Sequence, residues 1–245
     1  MENIVAIVQT RMGSTRLPGK VMKEILGKPV ILWDIDRMLL SKLINKIVIA
    51  IPYGDENDII RDTVKNYNKD IIITRGSEDD VLDRYYNAAV QTKADVVVRM
   101  TSDCPLIDMI VSDSIIKKYL DSECDYCSNT FELTYPRGLS TEVFSFDALE
   151  RAWKEAKKEY EREHVTPYIK ENPGKFKLIN VTNDVDLSHL RWTLDTKEDF
   201  EFIETVYKKI YPKKHIFFKD DILALLEREP ELIKINSHIK QKKVH

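Results

Sequence analysis

A chain of 245 residues, 43% hydrophobic and 32% charged, can bury a sizeable core and has the make-up of a soluble globular protein. Its formal net charge of −3, with both signs spread along the chain, argues against an extended nucleic-acid surface. No run approaches the roughly 18 apolar residues of a membrane span, so neither nucleic acid nor membrane is expected as a partner. In chain order, "NIVAIV" (3–8) reads as a buried strand and "PVILWDIDRMLLSK" (29–42) as a helix, with Pro29 acceptable in its first turn. "KIVIAIP" (46–52) is a second strand and "DENDIIRDTVKNYN" (55–68) a second helix. "DIIIT" (70–74) is the third strand, and "SEDDVLDRYYNAAVQ" (77–91) a helix opened by Ser77 and three acids. "ADVVVRM" (94–100) is the fourth strand, and residues 107–121 form another helix.

The alternation of apolar strands with amphipathic helices predicts an α/β fold, a mostly parallel central sheet with helices on both faces. Ligands of such sheets bind at the carboxyl ends of the strands, which directs the search for a site there. The second half is less regular. Strands are expected at 124–130, 140–146 and 175–182, and helices at 146–156, 161–172 and 195–211. No Gly/Pro/Ser-rich linker divides the chain and no internal repeat is visible. This predicts a single domain (1–245), made of a nucleotide-binding half (1–122), a mixed-sheet half (123–211), and a C-terminal helix with a basic tail (212–245).

The odd count of three cysteines, with no recognisable signal peptide, predicts reduced thiols and a cytoplasmic location. Cys124-x-x-Cys127 lacks a second pair or nearby His pair, so it is read as structural rather than metal-binding. The basic end "HIKQKKVH" reads as a solvated or frayed tail.

The stretch "VQTRMGSTRLPGKVM" (8–22) directly follows the first strand and resembles a phosphate loop. A P-loop requires G-x-x-x-x-G-K-[ST]. Here five residues separate Gly13 from Gly19, and Val21 follows Lys20 without a hydroxyl for Mg²⁺. The dinucleotide pattern G-x-G-x-x-G is also absent. The chemistry nevertheless suits polyphosphate. Arg11, Arg16 and Lys20 place three cations near a strand end, Gly13, Ser14 and Thr15 leave backbone amides open to anionic oxygens, and Pro18 stiffens the turn. An ordinary solvated basic loop is the plainer alternative. At the fourth strand's end, Asp103 either holds Mg²⁺ against phosphates or caps a turn before Pro105. Asp195, in "LRWTLDTKED", reads by pattern as a helix N-cap with Glu198 completing a capping box, a use that competes with metal binding.

Together these segments resemble the cytidylyltransferases that make CMP-activated acid sugars, the acylneuraminate and 3-deoxy-manno-octulosonate enzymes, with the spore-coat polysaccharide biosynthesis branch nearest. "QTRMGSTRLPGKVMKEILGKPVILW" is similar to the family's N-terminal signature, and "TRGSEDDVLDRYYNAA", "RMTSDCPLID", "REHVTPYI" and "WTLDTKEDF" follow in the expected order. The resemblance covers roughly residues 3–205 and implies a Rossmann-like nucleotide-diphospho-sugar transferase fold and a homodimer. It places Arg11 and Lys20 on the triphosphate of CTP, with Gly13, Ser14 and Arg16 supporting the loop. It makes Asp103 and Asp195 the ligands of a Mg²⁺ cofactor, and Arg11, Lys20, Asp103 and Asp195 the catalytic set. Arg75 and Arg84 match positions near the base, although Arg84 could equally form an ion pair on a helix surface. Arg137, Glu142, Arg162 and His164 lie in segments similar to those lining the sugar side; His164 could equally be structural. Ser140-Thr141 departs from the acidic residue expected there, which leaves the sugar's identity open.

The reaction so implied moves CMP from CTP to an acid-sugar hydroxyl with release of pyrophosphate, for surface polysaccharide or glycan biosynthesis. The rivals are a sugar-1-phosphate nucleotidyltransferase and a nucleotide-sugar-dependent glycosyltransferase. The Asp-x-Asp motif common in the latter is absent from "SDCP".

Overall fold

The computed structural model describes residues 2–241; Met1 and residues 242–245, the end of the basic tail, lie outside it. The first strand, β1 (Ile4–Gln9), is buried on both faces because every residue from Ile4 to Val8 is apolar. It pairs in parallel on one side with β4 (Lys46–Pro52) and on the other with β6 (Val96–Thr101). Between them in sequence come a small hairpin of β2 (Glu24–Ile25) and β3 (Lys28–Pro29), and β5 (Ile72–Gly76), which extends the sheet beyond β4. β7 (Tyr126–Ser128), β8 (Glu142–Ser145) and β9 (Leu178–Asn180) complete it, in the order β5-β4-β1-β6-β8-β7-β9. β8 is antiparallel to both β6 and β7, while β9 is parallel to β7, so only β8 runs against the other six strands.

Alternation along β1 divides the core. Ile4, Ala6 and Val8 face a layer containing helices α1 (Val30–Met38), α2 (Asp58–Tyr67) and α4 (Met109–Leu120). Val5 and Ile7 face α3 (Val81–Thr92), α5 (Phe146–Glu155) and the short α7 (Pro167–Lys170). A third cluster packs α8 (Lys197–Ile210) and α9 (Lys219–Arg228) around Trp192, Leu194 and Trp33. Helices thus cover both faces, as the alternating pattern predicts. After β1 the chain adds β4 and β5 on one side, then crosses to β6 on the other. That reversal opens a crevice at the carboxyl ends of β1 and β6.

Predicted bounds shift at several elements; the helix expected over 29–42, for example, ends at Met38. The expected helix over 161–172 is two short ones, α6 (Glu159–His164) and α7. Pro167 has no amide hydrogen and its ring obstructs the preceding turn, so one helix cannot run through. Between them Val165 adopts φ 71° and ψ −55°, and the Thr166 amide donates to His164 O at 2.9 Å, closing a γ-turn strained for a branched residue. The helix expected from Ser77 begins at Val81, because Asp80 is the cap and accepts from the Asp83 amide at 2.9 Å, while Ser77 Oγ accepts from the Asp80 amide.

No helix among the described residues is long and apolar enough to cross a membrane. The three cysteines form no disulfide, and burial raises the thiols of Cys104, Cys124 and Cys127 above their ordinary range, as suits structural side chains.

Candidate active site

A cavity of about 590 Å³ opens at the carboxyl ends of β1 and β6, where the topology reverses. The stretch from Thr10 to Val21 forms one wall. It is fixed by the Met12 amide donating to Asn57 Oδ1 (3.0 Å), the Gly19 amide donating to Met12 O (3.3 Å), and burial of Leu17 and Val21. Gly19 takes φ 64°, a left-handed conformation that favours glycine, and Lys20 begins the single 3-10 turn that follows. This places Arg11, Gly13, Ser14, Thr15, Arg16 and Lys20 together on the cavity.

Lys20 is the centre of the site. Its ammonium donates to Asp103 Oδ2 (2.8 Å), Leu194 O (2.8 Å) and Asp195 Oδ1 (3.0 Å), using all three of its hydrogens. Burial works to neutralise it, but the charges of Asp103 and Asp195 outweigh burial and raise its pKa, so it stays cationic. Burial likewise opposes ionisation of Asp103, yet the Lys20 charge and hydrogen bonds from Lys20 and Thr101 (2.6 Å) hold it below the ordinary carboxylate value. Arg16 pairs with Asp195 at 2.8 Å and Arg11 with Glu78 at 3.0 Å. Every cation of the loop therefore rests on a carboxylate of the same cavity.

Asp195 reaches the site through a scaffold. The Leu194 amide donates to Asp103 O at 2.7 Å, stitching the segment before α8 to the end of β6. The pattern assigned Asp195 as the helix cap with Glu198. Instead Thr196 is the cap, with Asp199 completing the box: the Asp199 amide donates to Thr196 Oγ1 (3.3 Å), and Asp199 Oδ2 accepts from the Thr196 amide (3.0 Å). Asp199 also accepts from Arg191 Nε (2.8 Å) and from Asn236 (3.0 Å). Arg191 in turn donates to Asp195 Oδ2 at 3.1 Å. The Asp195 carboxylate is thereby released from capping and oriented toward Lys20 and Arg16.

Several expected residues lie elsewhere. Arg75 is next to last in β5 but is clamped by Asp58 and the Gly54 carbonyl, away from the cavity. Glu142 is buried against Arg99, Tyr126 and Thr166; burial would raise its pKa, but Arg99 chiefly brings it down to about 2. Arg162 turns to Asp80 (2.6 Å) and the Trp153 carbonyl (2.7 Å). Arg137 does not line the cavity, and its backbone bridges to Arg191. Of the four sugar-side residues, His164 alone lines the cavity, with Glu159 and Glu163 of the same helix. Arg84 is no surface ion pair: it is 2% exposed and lines the cavity, and its Nε and Nη1 find no hydrogen-bond partner among the described residues.

Other residues of the site carried no functional signal in the sequence. Glu78 and Asp79 line the cavity beside Arg84, and by pattern they read only as acids that open a helix. Asp34, on α1 behind the site, is 1% exposed, and neither carboxyl oxygen has a hydrogen-bond partner among the described residues. Burial, then the charge of Asp103, pushes its pKa well above the ordinary range. Only its place within an apolar helical stripe hinted at burial.

The chain is similar to known proteins along nearly its whole length. A family model described as cytidylyltransferase matches residues 5–231. The spore coat polysaccharide biosynthesis protein SpsF of Bacillus subtilis is 31% identical over 238 residues, 94% of this chain and 97% of that protein. A solved cytidylyltransferase from Leptospira borgpetersenii superposes with a TM-score of 0.91 at 31% identity, covering 98% of this chain and 100% of that one. A structure of CMP:2-keto-3-deoxy-manno-octonic acid synthetase complexed with CTP gives 0.63 at 18% identity, over 84% of this chain and 98% of that one, which shows the shared Rossmann-like fold.

Proposed function

The chain belongs to the cytidylyltransferase family, and we propose on that premise that it transfers CMP from CTP to a hydroxyl of an acid sugar of the nonulosonic or octulosonic type, releasing pyrophosphate, for a surface polysaccharide or glycan. The observation that carries the reading is the convergence of Arg11, Arg16 and Lys20 with Asp103 and Asp195 around one cavity at the topological reversal. The acid-sugar class is supported by the name of the structural neighbour solved with CTP.

The acceptor hydroxyl gives up its proton to solvent as its oxygen forms a bond to the α-phosphorus, the bond from that phosphorus to the bridging oxygen breaks, and pyrophosphate carries the electron pair away. Such displacement asks for positioning and charge stabilisation rather than covalent chemistry by the protein. Arg11, Arg16 and Lys20 exchange their carboxylate partners for triphosphate oxygens and balance the charge that grows on the leaving group. His164, Glu159 and Glu163 border the space left for the acceptor.

The residues present fit a Mg²⁺ ion. Asp103 and Asp195 already converge on one cationic group, Lys20 Nζ, and Mg²⁺ is commonly held by one or two carboxylates together with substrate phosphates. Among the described residues no three His, Cys, Asp or Glu side chains form a ready-made metal cage. When bound, Mg²⁺ would supply Lewis-acid charge to the phosphates and make the acceptor hydroxyl more acidic.

Pyrophosphate release from CTP and Mg²⁺ across a panel of nonulosonic acids, octulosonic acids and sugar 1-phosphates tests the reading. Turnover with an acid sugar is expected. Turnover confined to a sugar 1-phosphate would overturn the acceptor assignment.

A further inference from the structure

The floor of the cavity carries one amide whose orientation the scaffold dictates. Gln9 ends β1, is half-buried and lines the cavity. Alternation along β1 turns its side chain to the face of Val5 and Ile7, which α3, α5 and α7 cover. There its Oε1 accepts from Arg99 Nη2 at 3.1 Å. A guanidinium only donates, so the amide oxygen must be the atom that meets Arg99, and the amide nitrogen must turn away from it. Nε2 finds no hydrogen-bond partner among the described residues, yet it is not buried as the unpartnered Arg99 Nε is. Its hydrogens therefore meet open space, and the space that Gln9 borders is the cavity. Arg99 is itself fixed. Its Nη1 pairs with one Glu142 oxygen, and the other accepts from Tyr126 and from Thr166 Oγ1 at 2.6 Å. Thr166 directly follows the strained turn at Val165 that ends α6. One chain of bonds thus runs from the end of β1 through β6 and β8 to the helix that carries Glu159, Glu163 and His164.

These bonds tie Gln9 to the acceptor half of the cavity, whereas the cations of the phosphate loop gather on Glu78, Asp103 and Asp195. The acceptor half is uneven in polarity. Ionised Glu159 and Glu163 only accept hydrogen bonds, and Gln9 Nε2 only donates them. A sugar hydroxyl both donates and accepts, so either side satisfies it. A carboxylate only accepts, and the two glutamates repel it. The donor at the strand end is the group that suits it. We propose that Gln9 is a specificity residue for the acceptor, its Nε2 donating to the acceptor's carboxylate, and that Arg99 and Glu142 act through it as positioning residues. The acceptor then has one orientation, with its carboxylate over the end of β1 and its hydroxyls toward α6. The proposal rests on the transfer to an acid sugar inferred above.

Pyrophosphate release by the full chain, with an octulosonic or nonulosonic acid varied separately from CTP, tests it in wild type, Gln9→Glu and Gln9→Met. Gln9→Glu keeps an oxygen for Arg99 and replaces the outward donor with a second carboxylate oxygen, so only the group facing the cavity changes. In Gln9→Met, which loses one hydrogen bond to a charged group, kcat/KM for the acid sugar should fall by roughly 10- to 100-fold. In Gln9→Glu it should fall further, because like charges are set together. KM for CTP should stay near the wild-type value in both, with thermal unfolding confirming that both fold. A merely structural role would instead spare Gln9→Glu, or spread the loss equally over CTP and acceptor, and either result would overturn the proposal. A loss in Gln9→Met as large as that in Gln9→Glu would also overturn it, because the group received would then carry no charge. A wild type that turns over no acid sugar would overturn the transfer reading itself, and the orientation of the acceptor with it.

Discussion

The ammonium of Lys20 lies 2.8 Å from the Asp103 carboxylate, joining the loop after β1 to the end of β6 across the crevice. The same ammonium reaches Asp195, so one cation keeps two site carboxylates compatible. Lys20→Met should remove a charge that stabilises the leaving pyrophosphate, lowering kcat by roughly 10² to 10³. It should also leave Asp103 and Asp195 to repel each other, lowering the melting temperature at neutral pH. Lys20→Arg should rescue stability better than turnover, because a planar fork cannot reproduce the three divergent bonds of the ammonium. Pyrophosphate release and thermal unfolding of both variants check this; near-normal turnover in Lys20→Met would remove Lys20 from the transition state.

The same contacts show what was legible in the sequence. β1 and β4 are apolar on both faces, so their strands and parallel order can be read directly, and Lys20, Asp103 and Asp195 fall at strand ends where such sheets gather ligands. The choice of cap before α8 was not legible. Asp195-x-x-Glu198 and Thr196-x-x-Asp199 both satisfy the capping pattern, and packing of Asp199 against Arg191 decides between them. Glu142 and Arg162 have charges that suit a sugar site, but partners 43 and 82 residues away, Arg99 and Asp80, draw them into the scaffold. Pairings at that separation follow from topology and are invisible to local pattern.

Gly138 tests how firmly Asp195 is held. Its φ of 106° is poorly accessible to other residues, and a Cβ there would lie 2.7 Å from the Trp192 carbonyl. Gly138→Ala must move the segment leading through Leu194 to Asp195. The backbone strain alone should cost roughly 1–3 kcal/mol. Urea unfolding should register that loss, and kcat should fall although no site residue has changed. Full activity in a destabilised variant would mean that the displacement stops before Asp195.

Glu142 sets an acid limit on stability. Its carboxyl falls from an ordinary 4.5 to about 2 in the folded chain, where Arg99 outweighs the effect of burial. A depressed folded value means the stabilisation is fully present above the unfolded pKa and is lost as pH falls from 4.5 toward about 2. With the side chain only 6% exposed, this linkage is worth on the order of 3 kcal/mol. Glu142→Gln should remove that part of the acid-dependent loss and, by stranding the buried Arg99, lower neutral stability by roughly 3–5 kcal/mol. Unfolding free energies from pH 2 to 7 for both proteins would show the two curves converging in acid; parallel curves would contradict the assignment.

Asp34 should act with the opposite sign. Burial and the nearby Asp103 charge raise its folded pKa well above 3.8, and neither of its oxygens has a hydrogen-bond partner among the described residues. A group whose folded pKa is raised contributes most at low pH, where it is protonated in both states. As pH climbs above 3.8 the unfolded chain ionises first, so stability falls until the folded carboxyl itself ionises. Asp34→Asn keeps the shape of the side chain and cannot titrate. The difference in unfolding free energy between wild type and this variant should therefore drift against the wild type as pH rises from 3.8. A carboxyl orphaned behind the site is thus a standing cost at neutral pH, and the variant should melt higher there. If the difference stays flat from acid to neutral pH, Asp34 keeps an ordinary pKa in the fold, and some group must be satisfying its charge.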